Sequence, residues 1–252
     1  RFTQAKPKVL FATDGYFYGG KWFSCLEKLE KVESGLPTLQ QTIVVPYQVK
    51  KDVTHDALAG DSRLVWQEFI RAYNPKSISF PPHSFNHPWY VLYSSGTTGK
   101  PKCIVHRTGG VLLKHLVEHG LQCDVRPRDR VFYYTTAGWM MWNWLVSALA
   151  SEATVVLYDG SPFHPSPASL FDLTDQQSVT LLGISAKYID ACAKAGVAPM
   201  ETHDLSSIRT ICSTGSTLVG EGFDYVYRDI KKDVHLQSMS GGTDLCGCLV
   251  AG

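Results

Sequence analysis

The stretch Tyr93-Ser94-Ser95-Gly96-Thr97-Thr98-Gly99-Lys100-Pro101-Lys102 gathers hydroxyls, flexible backbone and positive charge directly behind an apolar run, Trp89 to Leu92. That composition suits a polyphosphate. Gly96 and Gly99 let the backbone adopt φ > 0 and bring its N–H groups close to anionic oxygens. The hydroxyls of Ser94, Ser95, Thr97 and Thr98 add donors, and Lys100 and Lys102 add cations. Pro101 fixes the chain between the lysines, so they point apart. This is not a Walker loop, because two residues separate Gly96 from Gly99 and Pro101 follows Lys100 where Ser or Thr is required. A solvated Gly/Thr/Ser turn would account for any shorter subset, but not for all ten residues together.

Outward from this stretch the chain alternates strand and helix. Upstream, Lys8 to Thr13 reads as a buried strand, Trp22 to Val32 as an amphipathic helix and Gln41 to Val45 as a strand. The polar segment from Val49 to Gly60 reads as loop, and Ser62 caps a helix reaching Arg71. Pro81-Pro82 and Pro88 mark an extended connector into the strand at Trp89. Downstream, Lys102 to His106 is a strand, and Thr108 caps a helix that Gly120 ends. Strands at 130–135, 154–158, 179–182, 208–213 and 233–239 then alternate with helices at 140–149, 168–177, 186–195 and 220–230. Such alternation predicts an α/β fold, layered mostly parallel sheets flanked by helices, with binding residues at the carboxyl ends of strands. Ser94, Ser213 and Ser240 each lie at such an end.

Bulk properties leave the anion site local. The chain has 252 residues, 44% of them apolar, enough to bury a core as one large domain or two small ones. Its 24 Lys and Arg against 23 Asp and Glu give no reason to expect nucleic acid or an anionic membrane as partner. The longest apolar stretch, Trp139 to Ala150, is too short to span a bilayer, so no membrane insertion is expected. Seven cysteines without paired spacing (25, 103, 123, 192, 212, 246, 248) read as reduced thiols of a cytosolic protein. The opening Arg1-Phe-Thr lacks a start Met and a signal core, and the chain stops in the apolar run after Cys246. Both ends read as those of an internal piece.

Ser94 to Lys102 resembles the signature loop of the acyl-adenylate-forming, AMP-binding enzymes. Ile104-Val105-His106-Arg107-Thr108-Gly109-Gly110 and Ala137-Gly138-Trp139-Met140-Met141-Trp142 resemble most the acetoacetyl-CoA synthetase branch of that family. The resemblance runs from about Lys8 to the last residue. It implies an incomplete N-terminal adenylation domain over 1–252, with the family's ribose-binding aspartate, hinge and C-terminal domain lying past Gly252. It also implies ATP, Mg²⁺ and coenzyme A as reactants, with acetoacetate as the acid. A carboxylate attacks the α-phosphate of ATP, giving an acyl-adenylate and pyrophosphate, and the thiol of coenzyme A then displaces AMP. On that reading Ser94, Ser95, Gly96, Thr97, Thr98, Gly99 and Lys100 hold the phosphates and Lys102 takes part in catalysis. The piece by itself is expected not to form acyl-CoA.

Further stretches take roles from the same resemblance. Ser213-Thr214-Gly215-Ser216-Thr217 is by itself an ordinary strand-to-helix turn. In the family its equivalent lies against adenine, which assigns Gly215, Ser216 and Thr217 to AMP, although Thr217-Leu218 replace the usual acidic residue and proline. Ser240-Gly241-Gly242-Thr243-Asp244 resembles the segment whose threonine meets the α-phosphate and whose carboxylate holds Mg²⁺. Thr243 and Asp244 are therefore the catalytic candidates, Asp244 the metal ligand, and Gly241 and Gly242 neighbours of AMP. A bare Gly-Gly turn with an Asx cap is the plain alternative. In the acetyl-CoA synthetases a Trp at the place taken to be Gly241 closes the acyl pocket, so Gly241 and Trp139 are assigned to the acyl or coenzyme A pocket and a four-carbon keto acid is expected. Trp142 and Trp144 read as core.

Two patterns point elsewhere and are set aside. His115-Leu-Val-Glu118-His119 matches an inverted zinc-protease motif but lacks a separate third ligand, so it reads as solvated or hydrogen-bonded helix histidines. Gly183-Ile-Ser185-Ala-Lys187 has Lys187 where a hydrolase elbow needs its second glycine. Rival functions are a truncated nucleotide-binding module without catalysis, another short- or medium-chain acyl-CoA synthetase, and a relic without activity.

Overall fold

In a computed structural model, residues 1–47, 58, 62–94 and 99–252 are described. The chain divides into two compact units, 1–83 with 95–103, and 84–94 with 104–252. In the first unit, β1 (Val9–Thr13), β4 (Gln41–Val45) and β5 (Arg63–Val65) form a parallel sheet in the order β1-β4-β5. A hairpin of β2 (Gly15–Tyr18) and β3 (Lys21–Ser24) precedes α1 (Leu26–Ser34), and α2 (Trp66–Arg71) follows β5. Leu29, Val44, Leu58 and Val65 make its small core.

Two expected helices shrink here. The helix over 22–32 begins only at Leu26, because Gly19 and Gly20 both take positive φ (57° and 76°), the geometry of a tight hairpin turn. Aromatic cross-strand pairs fix its register, with the Phe17 and Trp22 rings 5.1 Å apart and those of Tyr16 and Phe23 5.5 Å apart. The helix over 62–71 loses its first residues to β5, whose Arg63, Leu64 and Val65 pair with Thr42, Ile43 and Val44. The loop expected over 49–60 lies almost wholly outside the described residues.

The second unit opens with β6 (Pro88–Tyr93), which pairs with β7 (Cys103–Arg107), and α3 (Thr108–Val117) leads into a wider turn over Glu118–Gln122. Thr108 is the first helical residue, not the cap, and its hydroxyl donates to His87 O at 3.0 Å. Gly120 lies within the wide turn and does not stop it. The main sheet then follows as β8 (Arg130–Tyr133), α4 (Met140–Ser147), β9 (Thr154–Val156), α5 (Ser169–Gln176), β10 (Leu181–Ser185) and α6 (Ala186–Lys194). A short α7 (Pro199–Thr202), not expected from the sequence, precedes β11 (Thr210–Thr214), α8 (Gly220–Tyr225) and β12 (His235–Ser238).

These five strands are all parallel in the order β12-β11-β10-β8-β9. Alternation along them sorts side chains to two faces. Phe132, Leu182, Ile184, Ile211 and Leu236 join Phe171, Ile189 and Val226 on one face. Val131, Tyr133, Leu181 and Cys212 join Met141, Trp144 and Leu145 on the other. The chain steps outward from β8 to β9 and then reverses, and right-handed crossovers accordingly place α4 on one face and α5, α6 and α8 on the opposite one.

Gly183 sits where β10 pairs with β8, and a Cβ there would lie 2.0 Å from the ring of buried Tyr133. The glycine of the hydrolase-like pattern is thus explained by packing, and its Ser185 caps α6 by accepting from Tyr188 N at 3.1 Å. Gly183→Ala is expected to destabilise the chain by about 1–3 kcal/mol through overpacking, read from the midpoint of urea unfolding at unchanged slope.

Candidate functional site

Past the carboxyl ends of β11 and β12, two loops start from roots that are bonded to each other. Met239 N donates to Ser213 O at 2.7 Å, and the Thr214 hydroxyl donates to Met239 O at 3.0 Å. Gly215 follows at φ 88°, a conformation that suits glycine, and no neighbour crowds its missing Cβ. Ser216 and Thr217 are exposed on one wall of a cleft of 260 Å³ whose opposite side carries Lys187 and Asp190 of α6. Leu218 is buried and ends the loop. The three residues assigned to AMP are therefore open to a ligand while both of their flanks are fixed.

The second loop departs from its expected form. Ser240-Gly241-Gly242 is not a plain turn but strand β13 (Ser240–Gly242), antiparallel to β14 (Gly247–Val250), with an irregularity between Ser240 and Gly241. Thr243 and Asp244 stand at the tip of this ribbon, where Leu245 N donates to Gly242 O and Cys246 N to Thr243 O, both at 3.2 Å. Cys246 takes φ 50°, unusual for a residue with a side chain. The Asp244 carboxylate is exposed and makes no ion pair or hydrogen bond among the described residues. An exposed carboxylate beside a hydroxyl is a donor set that suits Mg²⁺, which takes one or two carboxylates and leaves its other positions to water and phosphate.

Gly241 has a local reason to be glycine. A Cβ there would lie 2.1 Å from Gly247 O and 2.6 Å from Cys248 Cα, so the position faces the partner strand's backbone. Nothing comparable crowds Gly242. Trp139 is 66% exposed and immediately precedes α4, whereas Trp144 is fully buried and Trp142 packs partly against the same core. Tyr90 of β6 hydrogen-bonds with the Asn143 side chain of α4, and burial raises its pKa.

Of the stretch expected to hold phosphates, Ser94 directly follows β6 and is half-buried. Ser95, Gly96, Thr97 and Thr98 lie outside the described residues. In the first unit Gly99 has φ 134° with open space at its missing Cβ, Lys100 and Lys102 are exposed, and Pro101 O accepts from Gln4 Nε2 at 3.0 Å. Neither lysine forms an ion pair among the described residues.

A profile of the "AMP-binding enzyme" family matches residues 1–251. The chain belongs to the AMP-binding enzyme family. Within that family it is 48% identical over its whole length to an acetoacetyl-coenzyme A synthetase of Rhizobium meliloti (strain 1021), covering 38% of that protein. It is 44% identical over 99% of its length to an acetoacetyl-CoA synthetase of Gallus gallus, again 38% of that protein. Among solved structures, an acetoacetyl-CoA synthetase from Streptomyces lividans matches with a TM-score of 0.90 and 42% identity, over 100% of this chain and 38% of that one. The chain thus spans well under half the length of these AMP-binding relatives, and no helix among the described residues is long and apolar enough to cross a membrane.

The His115-Leu-Val-Glu118-His119 pattern supplies most of a polar cluster behind the ribbon, and His115 is hydrogen-bonded as expected. His115 and His119 are neither solvated nor arranged as metal ligands with a third partner among the described residues; both are fully buried. The His119 ring meets Trp144 edge-on at 4.1 Å, and burial, with His115 adding to it, pulls its pKa down to about 3. Burial likewise lowers the pKa of His115 and raises the thiols of Cys246 and Cys248 to about 11 and about 12. Both thiols therefore stay protonated and unreactive near neutral pH.

A depressed histidine pKa means that the unfolded chain binds the extra proton. The stability is whole above pH 6.5 and falls as the pH drops from there toward 3. From His119 alone the loss at pH 5 is about 2 kcal/mol, and His119→Phe is expected to remove that part of the slope in denaturant titrations run at pH 7.5 and 5.0.

Proposed function

We propose that this sequence is part of the adenylating domain of an acetoacetate–CoA ligase, which joins acetoacetate to coenzyme A at the expense of ATP and releases AMP and pyrophosphate. The observation that carries the reading is the fixed meeting of the roots of the two loops past β11 and β12, with exposed hydroxyls and one carboxylate that is unpaired among the described residues. The acid is inferred from the relatives named acetoacetyl-CoA synthetase, which share 44–48% of the aligned residues. Gly241 lends no separate support to the choice of acid, since the ribbon itself demands a glycine there.

The roles follow from the chemistry of each group. Gly215, Ser216 and Thr217 line the adenine, and Gly241 and Gly242 lie beside the AMP portion. The Thr243 hydroxyl donates to the α-phosphate, whose charge rises as the acid attacks. Asp244 holds Mg²⁺. When bound, that ion offsets negative charge on the phosphates. Ser94, Ser95, Gly96, Thr97, Thr98, Gly99 and Lys100 keep the β- and γ-phosphates while they leave as pyrophosphate, and Lys102 supplies a further cation. Trp139 walls the acyl or pantetheine path with a flat apolar surface. No enzyme side chain needs to form a bond with the acid.

The test uses this sequence carried in a chain of its relatives' length, with acetoacetate-dependent exchange of pyrophosphate into ATP as the readout. Asp244→Asn and Thr243→Ala are each expected to lower the exchange rate by about 10²-fold, comparable to losing one transition-state donor. A panel of acetate, butyrate and medium-chain acids is expected to give lower kcat/KM than acetoacetate. Equal rates across the panel would point to another short- or medium-chain acyl-CoA synthetase.

Because Gly241 abuts Gly247 and Cys248, Gly241→Ala is expected to disorder the ribbon and lower both exchange and melting temperature, whichever acid is supplied. A variant that kept its melting temperature but changed its preference among acids would restore Gly241 to the acyl pocket.

A further inference from the structure

The root of the ribbon that carries Thr243 and Asp244 is gripped by side chains of a single helix and its continuation. Glu118 is 2% exposed, and its carboxylate accepts from Cys248 N and Trp144 Nε1, each at 2.8 Å. Lys114 Nζ lies 3.0 Å from the same carboxylate and donates to Cys248 O at 2.7 Å, so both backbone groups of Cys248 are taken. One residue after Lys114, His115 Nε2 lies 2.6 Å from Cys246 O and its Nδ1 2.8 Å from Ser147 Oγ. A carbonyl oxygen can only accept, so Nε2 carries the proton, and Nδ1 faces the Ser147 hydroxyl, whose one proton also reaches Trp144 O at 2.7 Å. The residue held in this way is Cys246, the one whose backbone sits at φ 50°. That conformation costs about 1–2 kcal/mol in an L-residue and persists where surrounding contacts impose it.

Filling this space with apolar side chains would avoid burying a charge, and buried ion pairs are weak contributors to stability. What the cluster does supply is a fixed direction. Cys246 and Cys248 flank the return of the chain from the tip, while the Met239 and Thr214 bonds fix its departure. The geometry points to Glu118 and His115 as positioning residues for catalysis: they hold the root of the ribbon so that the Thr243 hydroxyl and the Asp244 carboxylate meet the α-phosphate and the divalent cation at a set place. This rests on the roles given to Thr243 and Asp244 under the proposed function. Lys114 shares the task as the cation that balances Glu118.

The experiment uses the same chain of the relatives' length and compares His115→Leu, His115→Gln, Glu118→Gln, Lys114→Met and Asp244→Asn. Pyrophosphate exchange is measured at saturating ATP and acetoacetate over a range of Mg²⁺, AMP affinity is measured without metal by tryptophan fluorescence, and melting is followed by circular dichroism. His115→Leu and Glu118→Gln are expected to lower kcat by about tenfold and to raise the half-saturating Mg²⁺ severalfold, the scale of a small misplacement of reacting groups. AMP affinity falls less than kcat does, because the adenine loop is fixed by other bonds and only the Gly241, Gly242 and Thr243 contacts lie on the ribbon. His115→Gln, whose amide N–H can still reach Cys246 O, recovers most of the loss.

Variants that melt lower yet keep the wild-type kcat and Mg²⁺ dependence would overturn the inference and leave the cluster a purely structural clasp. Should His115→Leu and Glu118→Gln fail to fold, Lys114→Met decides, since it removes only a partly exposed ammonium and keeps its stem. A fall in kcat with a raised Mg²⁺ requirement supports the inference, and unchanged values refute it. Full exchange by Asp244→Asn would refute the role of Asp244 itself. Loss with Asp244→Asn but not with the cluster variants would refute only the positioning role.

Discussion

Strands buried on both faces can carry almost nothing but apolar side chains, and this constraint orders the second unit. β10 and β11 are buried along nearly their whole length between two helical layers. Apart from a few buried polar side chains such as Thr210, Ser213 and Gln237, polar groups therefore gather beyond the strand ends, where the backbone turns out of the sheet. The Gly215 loop and the ribbon of Thr243 and Asp244 are what the chain places there. Their common origin at neighbouring strands β11 and β12 lets one main-chain bond and one from the Thr214 hydroxyl join their roots, so the two loops leave one defined edge.

The second feature is the contrast between what lies beneath this edge and what lies on it. Beneath it, Glu118 and His115 are buried with their hydrogen-bonding groups engaged, and His119 packs on Trp144 with its ionisation suppressed. On the edge itself Asp244, Ser216 and Thr217 are exposed. Satisfied polar groups hold shape, whereas unsatisfied exposed ones are available to a ligand.

Much of the fold was legible because burial leaves a plain record in sequence. The strands around Leu181, Thr210 and His235 and the helices between them follow from apolar runs and their spacing, and each was found within a few residues. The missed hairpin had a local signal in Gly19-Gly20 between aromatics, which the helical spacing of 22–32 obscured. Ribbon β13–β14 left no such signal, because Gly241 is dictated by the backbone of Gly247 across the pair, a contact between chain positions that neither local pattern reveals. Candidate site residues could be picked by type and by resemblance. The clasp of Glu118 on Cys248 could not, since 130 positions separate its partners and each half looks ordinary alone.

The location of Thr243 and Asp244 at the far end of a short two-stranded ribbon has a last consequence. Their side chains contribute no hydrogen bond or ion pair among the described residues, so natural selection can alter the tip without disturbing the architecture that presents it. A family built this way can exchange aspartate for glutamate, or adjust the reach of a carboxylate, while the scaffold stays unchanged. On the proposed roles, evolvability of the chemistry and durability of the fold fall to different residues.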